Sequence, residues 1–148
     1  MTNPPKARGT AAETAVVRYL RARGLEAHRV ALAGVQDQGD VHACGRRVVI
    51  EVKSRRGLPS LRDLEAWMAE TEREAEHAVD AGHPVEVAVL VVKRPGSAKP
   101  EQWTAHLPTA DAIYILTKGA RSVVPTTGTV AMTVGMLADH LAAMWAEQ

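Results

Sequence analysis

The chain has 148 residues, 46% of them apolar and 24% charged, with a formal net charge of +1. This is enough apolar material for one core and one domain spanning 1–148; no apolar run reaches membrane-spanning length, and the start MTNPPKARGT lacks the apolar segment of a signal peptide. Cys44 stands alone, which excludes an intramolecular disulfide and fits a reducing, cytoplasmic setting, and no Cys/His spacing has the form of a zinc site.

In chain order, residues 1–8 read as a flexible basic arm. A helix is expected over residues 10–23, with Ala12, Val16, Val17 and Leu20 as its apolar stripe and Gly24 as its stop. Thr10 and Glu13 have the spacing of a capping box, which gives Glu13 a structural explanation. Residues 27–33 read as a strand, and residues 33–39 (AGVQDQG) have turn chemistry. A second helix starts at the cap Ser60, with Asp63 near the capping-box position, and ends at Gly82. Leu64, Trp67 or Met68, Thr71, Ala75 and Ala78 line its buried side, and Glu65, Glu70, Glu72, Glu74 and Glu76 are expected on a solvated face. Residues 85–92 have the mostly apolar pattern of a central strand covered on both sides. Residues 103–107 alternate like another strand, 110–116 fit helix or strand equally, and 120–128 are irregular. A short strand over 129–133 and a closing amphipathic helix over 134–145 complete the order αβββαβββα, a mixed sheet with helices on its faces.

Chemistry concentrates in residues 39–56, GDVHACGRRVVIEVKSRR, which read as a β-hairpin turning at 44–46. Period-2 alternation puts Glu51 and Lys53 on one face and Val48, Ile50 and Val52 on the other. A two-residue turn places Asp40 opposite Val49 or Glu51, whereas a three-residue loop shifts the register by one. Two carboxylates and an ammonium on one patch suit a hard divalent cation with a lysine near the attacking water. Exposed strands also alternate charged and apolar residues, but a carboxylate inside VVIEVK costs free energy unless something compensates it. The six histidines are scattered and read as surface or loop residues; His42, beside Asp40, is expected to face solvent.

The small net charge hides an asymmetry. Residues 1–62 hold twelve Lys/Arg and five Asp/Glu, a net of +7, and residues 63–148 hold six and twelve, a net of −6. The basic half contains the carboxylate hairpin together with Lys6, Arg8, Arg29, Arg46, Arg47, Arg55, Arg56 and Arg62. Guanidinium groups fork onto phosphates, so acids ringed by arginines point to a phosphodiester substrate, with Lys6, Arg8, Arg29, Arg55 and Arg56 as candidate nucleic-acid contacts.

Arg8-Gly9-Thr10-Ala11-Ala12-Glu13, the arginine-rich helix ending at Gly24, Gly39-Asp40, Glu51-Val52-Lys53 and Val91-Val92-Lys93-Arg94-Pro95 together resemble the archaeal-type Holliday junction resolvases. These enzymes, with phage-encoded relatives, belong to the PD-(D/E)xK nuclease superfamily. The resemblance covers residues 6–96 and lies in the ordered combination. It implies a restriction-endonuclease-like mixed β-sheet flanked by helices, and a Mg2+-dependent (or Mn2+-dependent) endonuclease that cuts four-way DNA junctions as a homodimer. By the same resemblance Asp40, Glu51 and Glu13 bind the metal and Lys53 orients or activates water. Glu70, Thr71 or Glu74 supplies the family's polar helix residue. Gly39 stands where the motif has proline, and residues 97–148 form a C-terminal extension of the domain without a clear counterpart. Two other readings remain open: a nuclease of this superfamily acting on flaps, ends or duplex DNA, and a non-catalytic DNA-binding module.

Overall fold

The computed structural model of the chain describes residues 4–31, 36–121 and 126–146. The elements are α1 (Pro4–Ala22), β1 (Ala27–Arg29), β2 (Val41–Ala43), β3 (Val48–Lys53), α2 (Leu61–Asp80), β4 (Val87–Val92), a 3₁₀ turn (Pro100–Gln102), β5 (Thr104–Pro108), α3 (Thr109–Leu116), β6 (Thr129–Thr133) and α4 (Val134–Trp145). The six strands lie side by side in chain order. Only β3 and β4 are parallel, because α2 carries the chain back across the sheet between them. The other neighbours pair antiparallel. This is the mixed sheet flanked by helices that the resemblance implied.

Each sheet face has its own cover. Val48, Ile50 and Val52 of β3 and Val87, Val89 and Val91 of β4 join Val16 and Leu20 of α1 and Leu137 and Leu141 of α4 in the main core. The opposite face of the same strands meets α2, but there the apolar contact is split in two. Val49 and Ala88 meet Ala75 and Ala78 in one cluster, and Leu90 and Val92 meet Met68 in the other. Glu51 is paired with Leu90, between Val49–Ala88 and Lys53–Val92 on this face, so the acid occupies the gap. The α2 N-terminus is the capping box read from sequence: Ser60 Oγ accepts from the Asp63 amide at 3.1 Å and Asp63 Oδ2 accepts from the Ser60 amide at 2.9 Å, which pairs two amides that a helix start leaves free.

Several boundaries differ from the sequence reading. The arm expected at 1–8 is helical from Pro4, since proline is tolerated in a first turn whose amides are unpaired in any case. Thr10 and Glu13 therefore lie inside α1, and the capping box assigned to them does not exist. The first strand ends at Arg29 rather than 33, and the last part of that expected strand falls outside the described residues. The hairpin loop has four residues, 44–47, rather than two or three. Its register still puts Asp40 opposite Glu51, one step beyond the Val41–Ile50 pair. The ambiguous stretch at 110–116 is helix α3, and the irregular stretch at 120–128 includes four residues, 122–125, outside the description.

Candidate active site

Glu51 is 5% exposed in the middle of β3, and α2 brings two more acids onto it. Glu51, Glu70 and Glu74 each offer one carboxylate oxygen, and these atoms lie within 4.8 Å of one another. The i, i+4 spacing of Glu70 and Glu74 sets both on one side of the helix. Glu74 was expected on the solvated face and is 3% exposed. Its position, between Thr71 and Ala75 in the stripe of Met68, Thr71, Ala75 and Ala78, was the available signal. Of the three helix residues left open by sequence, Glu70 and Glu74 enter the cluster. Thr71 turns its hydroxyl to the Trp67 carbonyl of its own helix at 2.7 Å.

Lys53 closes this end of the site. Its Nζ lies 3.0 Å from Glu70 Oε2 and 3.7 Å from Glu51 Oε1, and 6.0 Å from the Trp67 ring centre. Burial pulls its pKa down, but the hydrogen bond to Glu70 and the charge of Glu51 outweigh that, so the net shift is upward and the group stays an ammonium. A lysine held this way orients and stabilises anionic oxygen; it is a poor proton acceptor.

Asp40 enters from the other side, on a bend before β2 rather than within the strand. Its Oδ2 accepts the Val52 amide at 2.8 Å, and its own amide donates to the Ile50 carbonyl at 3.0 Å, which docks the residue against β3. Gly39 makes this approach possible. Its φ is +95°, and a Cβ there would sit 2.7 Å from Val49 Cγ1. Proline, confined to φ near −65°, cannot adopt this backbone, which accounts for the departure from the motif. Glu13 of α1 reaches Asp40 as well, while Arg29 of β1 donates to Glu13 Oε2 through Nε at 3.1 Å and Nη2 at 2.9 Å.

The carboxyls form a run, Glu13–Asp40–Glu51–Glu74, each within reach of the next. Burial, then the contact with Glu51, raise Asp40 to about 7 against the opposing pull of the Val52 amide and Glu13. Burial and Glu74 raise Glu51 to about 9, and Glu74 itself rises to about 7 chiefly through burial. Glu13 also moves upward, through burial and Asp40 against the opposing pull of Arg29. Two ionised carboxylates cannot hydrogen-bond each other. Glu51 Oε2 and Glu74 Oε2 are accordingly buried without a donor, a costly state unless a proton or a cation lies between them. The donor set is all oxygen, with two unpartnered buried atoms, and it fits a hard divalent cation.

The remaining candidates are more dispersed. Arg55 pairs with Asp63 at 2.8 Å and lies 5.9 Å from the Trp67 ring, beside Lys53. Arg56 is exposed in the same segment, and Arg8 is half-buried on α1. The Lys6 side chain lies outside the described residues. His42, expected to face solvent, is fully buried, with a ring nitrogen 2.8 Å from the Gln38 carbonyl. The Gln38 carbonyl and the rings of His28 and His83, 5.8 and 5.7 Å away between ring centres, surround it. Among the described residues no helix is long and apolar enough to cross a membrane.

No family model matches this sequence, and no curated relative does. Among solved structures the chain is similar to Hjc, a Holliday junction resolvase from the archaeal hyperthermophile Archaeoglobus fulgidus, with 21% identity over 88% of this chain and 95% of that chain and a TM-score of 0.47.

Proposed function

We propose that the chain is a metal-dependent, structure-selective endodeoxyribonuclease that cuts four-way DNA junctions. The observation that carries this reading is the buried cluster of Glu51, Glu70 and Glu74, with two carboxylate oxygens lacking any donor and Lys53 at its rim. An apolar site would have been cheaper to build, so the cluster answers to a ligand rather than to stability. Glu51, Glu70 and Glu74 would hold a divalent cation, Mg2+ or Mn2+, with Asp40 and Glu13 extending the set. When bound, such an ion supplies positive charge to a phosphoryl group and acidifies water. Lys53 would orient the attacking water and stabilise the charge that grows on the phosphoryl oxygens. Arg55 and Arg56, at the rim with Trp67, bind the flanking strand. A four-way junction needs two cuts, so we take the working unit to be a homodimer with one site per cut.

The test is incubation of the full chain with a labelled four-way junction and a matched linear duplex, in Mg2+ and in chelator. Paired nicks in the junction, with Mg2+ only, are expected. Equal cutting of the duplex would reassign the substrate to another DNA shape, and cutting of neither in Mg2+ or Mn2+ would reject the nuclease reading.

A further inference from the structure

On the β1–β2 side of Asp40 lies a second concavity of about 520 Å3, with His28, Arg29, Asp37, Asp40, Arg46 and His83 among its lining residues. Its volume is in the range of ligand-binding clefts. Asp40 is shared, so the cavity adjoins the carboxylate cluster.

One wall of this cavity is held in an uncommon conformation. Cys44, Gly45 and Arg46 have φ of 55°, 67° and 65°, all in the left-handed region. For the two residues with side chains this costs about 1 kcal/mol or more each. Glu26 maintains it: its carbonyl accepts the Cys44 amide at 2.8 Å, its Oε2 accepts the Gly45 amide at 2.8 Å, and its Oε1 lies 2.8 Å from His28 Nδ1. The loop thereby sets Arg46 Nη1 3.1 Å from His83 Nε2. A guanidinium only donates, so the ring nitrogen is the acceptor at this contact. His42 stands between the two other imidazoles, with ring centres 5.8 Å from His28 and 5.7 Å from His83, both edge-on.

Among the described residues no carboxylate pairs with Arg46, whereas Arg29 in the same cavity is engaged by Glu13. The loop therefore holds the Arg46 guanidinium against an imidazole and without a direct ion pair, with Glu26 as the nearby counter-charge. Of the two acids in the lining, Asp37 turns Oδ1 to the Gly39 amide and Asp40 turns Oδ2 to the Val52 amide.

We propose that this cavity binds a backbone phosphate of the nucleic-acid strand, one flanking the phosphodiester attacked at the carboxylates, with Arg46 as the main contact and His28 and His83 beside it. The proposal rests on the nuclease reading for the identity of the strand. It assigns to the β2–β3 loop a task in holding the substrate in register.

Arg46→Gly is the variant of choice, because glycine adopts the same backbone without strain and the fold should be at least as stable as wild type. In chelator, where no cutting occurs, a labelled four-way junction should bind this variant roughly tenfold more weakly, with a salt slope shallower by about one unit. His83→Gln, which leaves the loop untouched, should weaken binding in the same direction by less. Independently, thymidine 3′,5′-bisphosphate should shift the imidazole resonances of His28 and His83 in the full chain and leave those two unmoved in Arg46→Gly. Unchanged affinity and slope in Arg46→Gly, or no shift of His28 and His83 on adding the bisphosphate, would overturn the proposal. The nuclease reading fails by a different result, absence of junction and duplex cutting by the wild-type chain in Mg2+, which leaves the bisphosphate shifts to decide the anion site.

Discussion

Glu74→Gln should stabilise the metal-free protein while disabling it. Glu74 is 3% exposed, and burial with Asp37, Glu70 and Asp40 nearby raises its carboxyl from 4.5 to about 7. A folded pKa above the unfolded one means that the folded chain binds the proton more tightly. The associated stability is complete below pH 4.5 and is lost as pH rises through about 7. The displacement of about 2.5 units corresponds to about 3 kcal/mol at most, since the neighbouring acids titrate with it. Glutamine keeps the shape, carries no charge and can donate to the unpartnered Glu51. In chelator at pH 8 the variant should therefore melt roughly 6–12 °C above wild type. At pH 4.5 the two should coincide, and adding Mg2+ should raise the melting temperature of wild type but not of the variant. Thermal melts at both pH values, with chelator and with Mg2+, measure this directly. A variant no more stable than wild type at pH 8, or a gain that is the same at both pH values, would refute the account of Glu74 as an uncompensated buried acid.

Asp40→Asn and Glu51→Gln should each abolish junction cutting with the fold intact, by gel assay and circular dichroism, because each removes one charge at nearly constant volume; wild-type rates would dismiss the cluster as the reactive site. Lys53→Ala should lose cutting while keeping junction affinity in chelator, and a normal rate would remove the lysine from the chemistry. For Glu13→Gln we expect at least a tenfold loss of turnover at near-constant melting temperature; no loss would leave Glu13 only the anchoring of Arg29. Gly39→Ala should cost about 2–3 kcal/mol in a urea melt, from a positive φ and the Val49 clash, and a loss under about 0.5 kcal/mol would contradict the close approach of this turn to β3. Replacing Arg55 and Arg56 by alanine should flatten the salt dependence of junction binding by about one unit per lost phosphate contact, and an unchanged slope would move the DNA off this rim.

Local order in this protein was legible from its residues. Alternation in VVIEVK separates Glu51 and Lys53 from Val48, Ile50 and Val52, and the structure keeps that separation because a pleated strand has no other way to place them. The cap at Ser60, the strand at Thr129–Thr133 and the helix at Val134–Trp145 follow equally from short-range signals. Long-range packing decided the rest. Four helical carboxylates at four alternate positions of α2, 70, 72, 74 and 76, look alike in sequence, yet only the crossing of α2 over β3 and β4 buries Glu74, exposes Glu72 and Glu76, and turns Glu70 toward Lys53. The same holds for His42, which reads as solvent-facing until Gln38 and the rings of His28 and His83 close around it, and for Gly39, where a Cβ would collide with a side chain ten residues away, Val49. Periodicity determines which residues share a face. Which face meets which partner depends on contacts between residues far apart in the chain, and those exist only once the sheet and α2 have packed together.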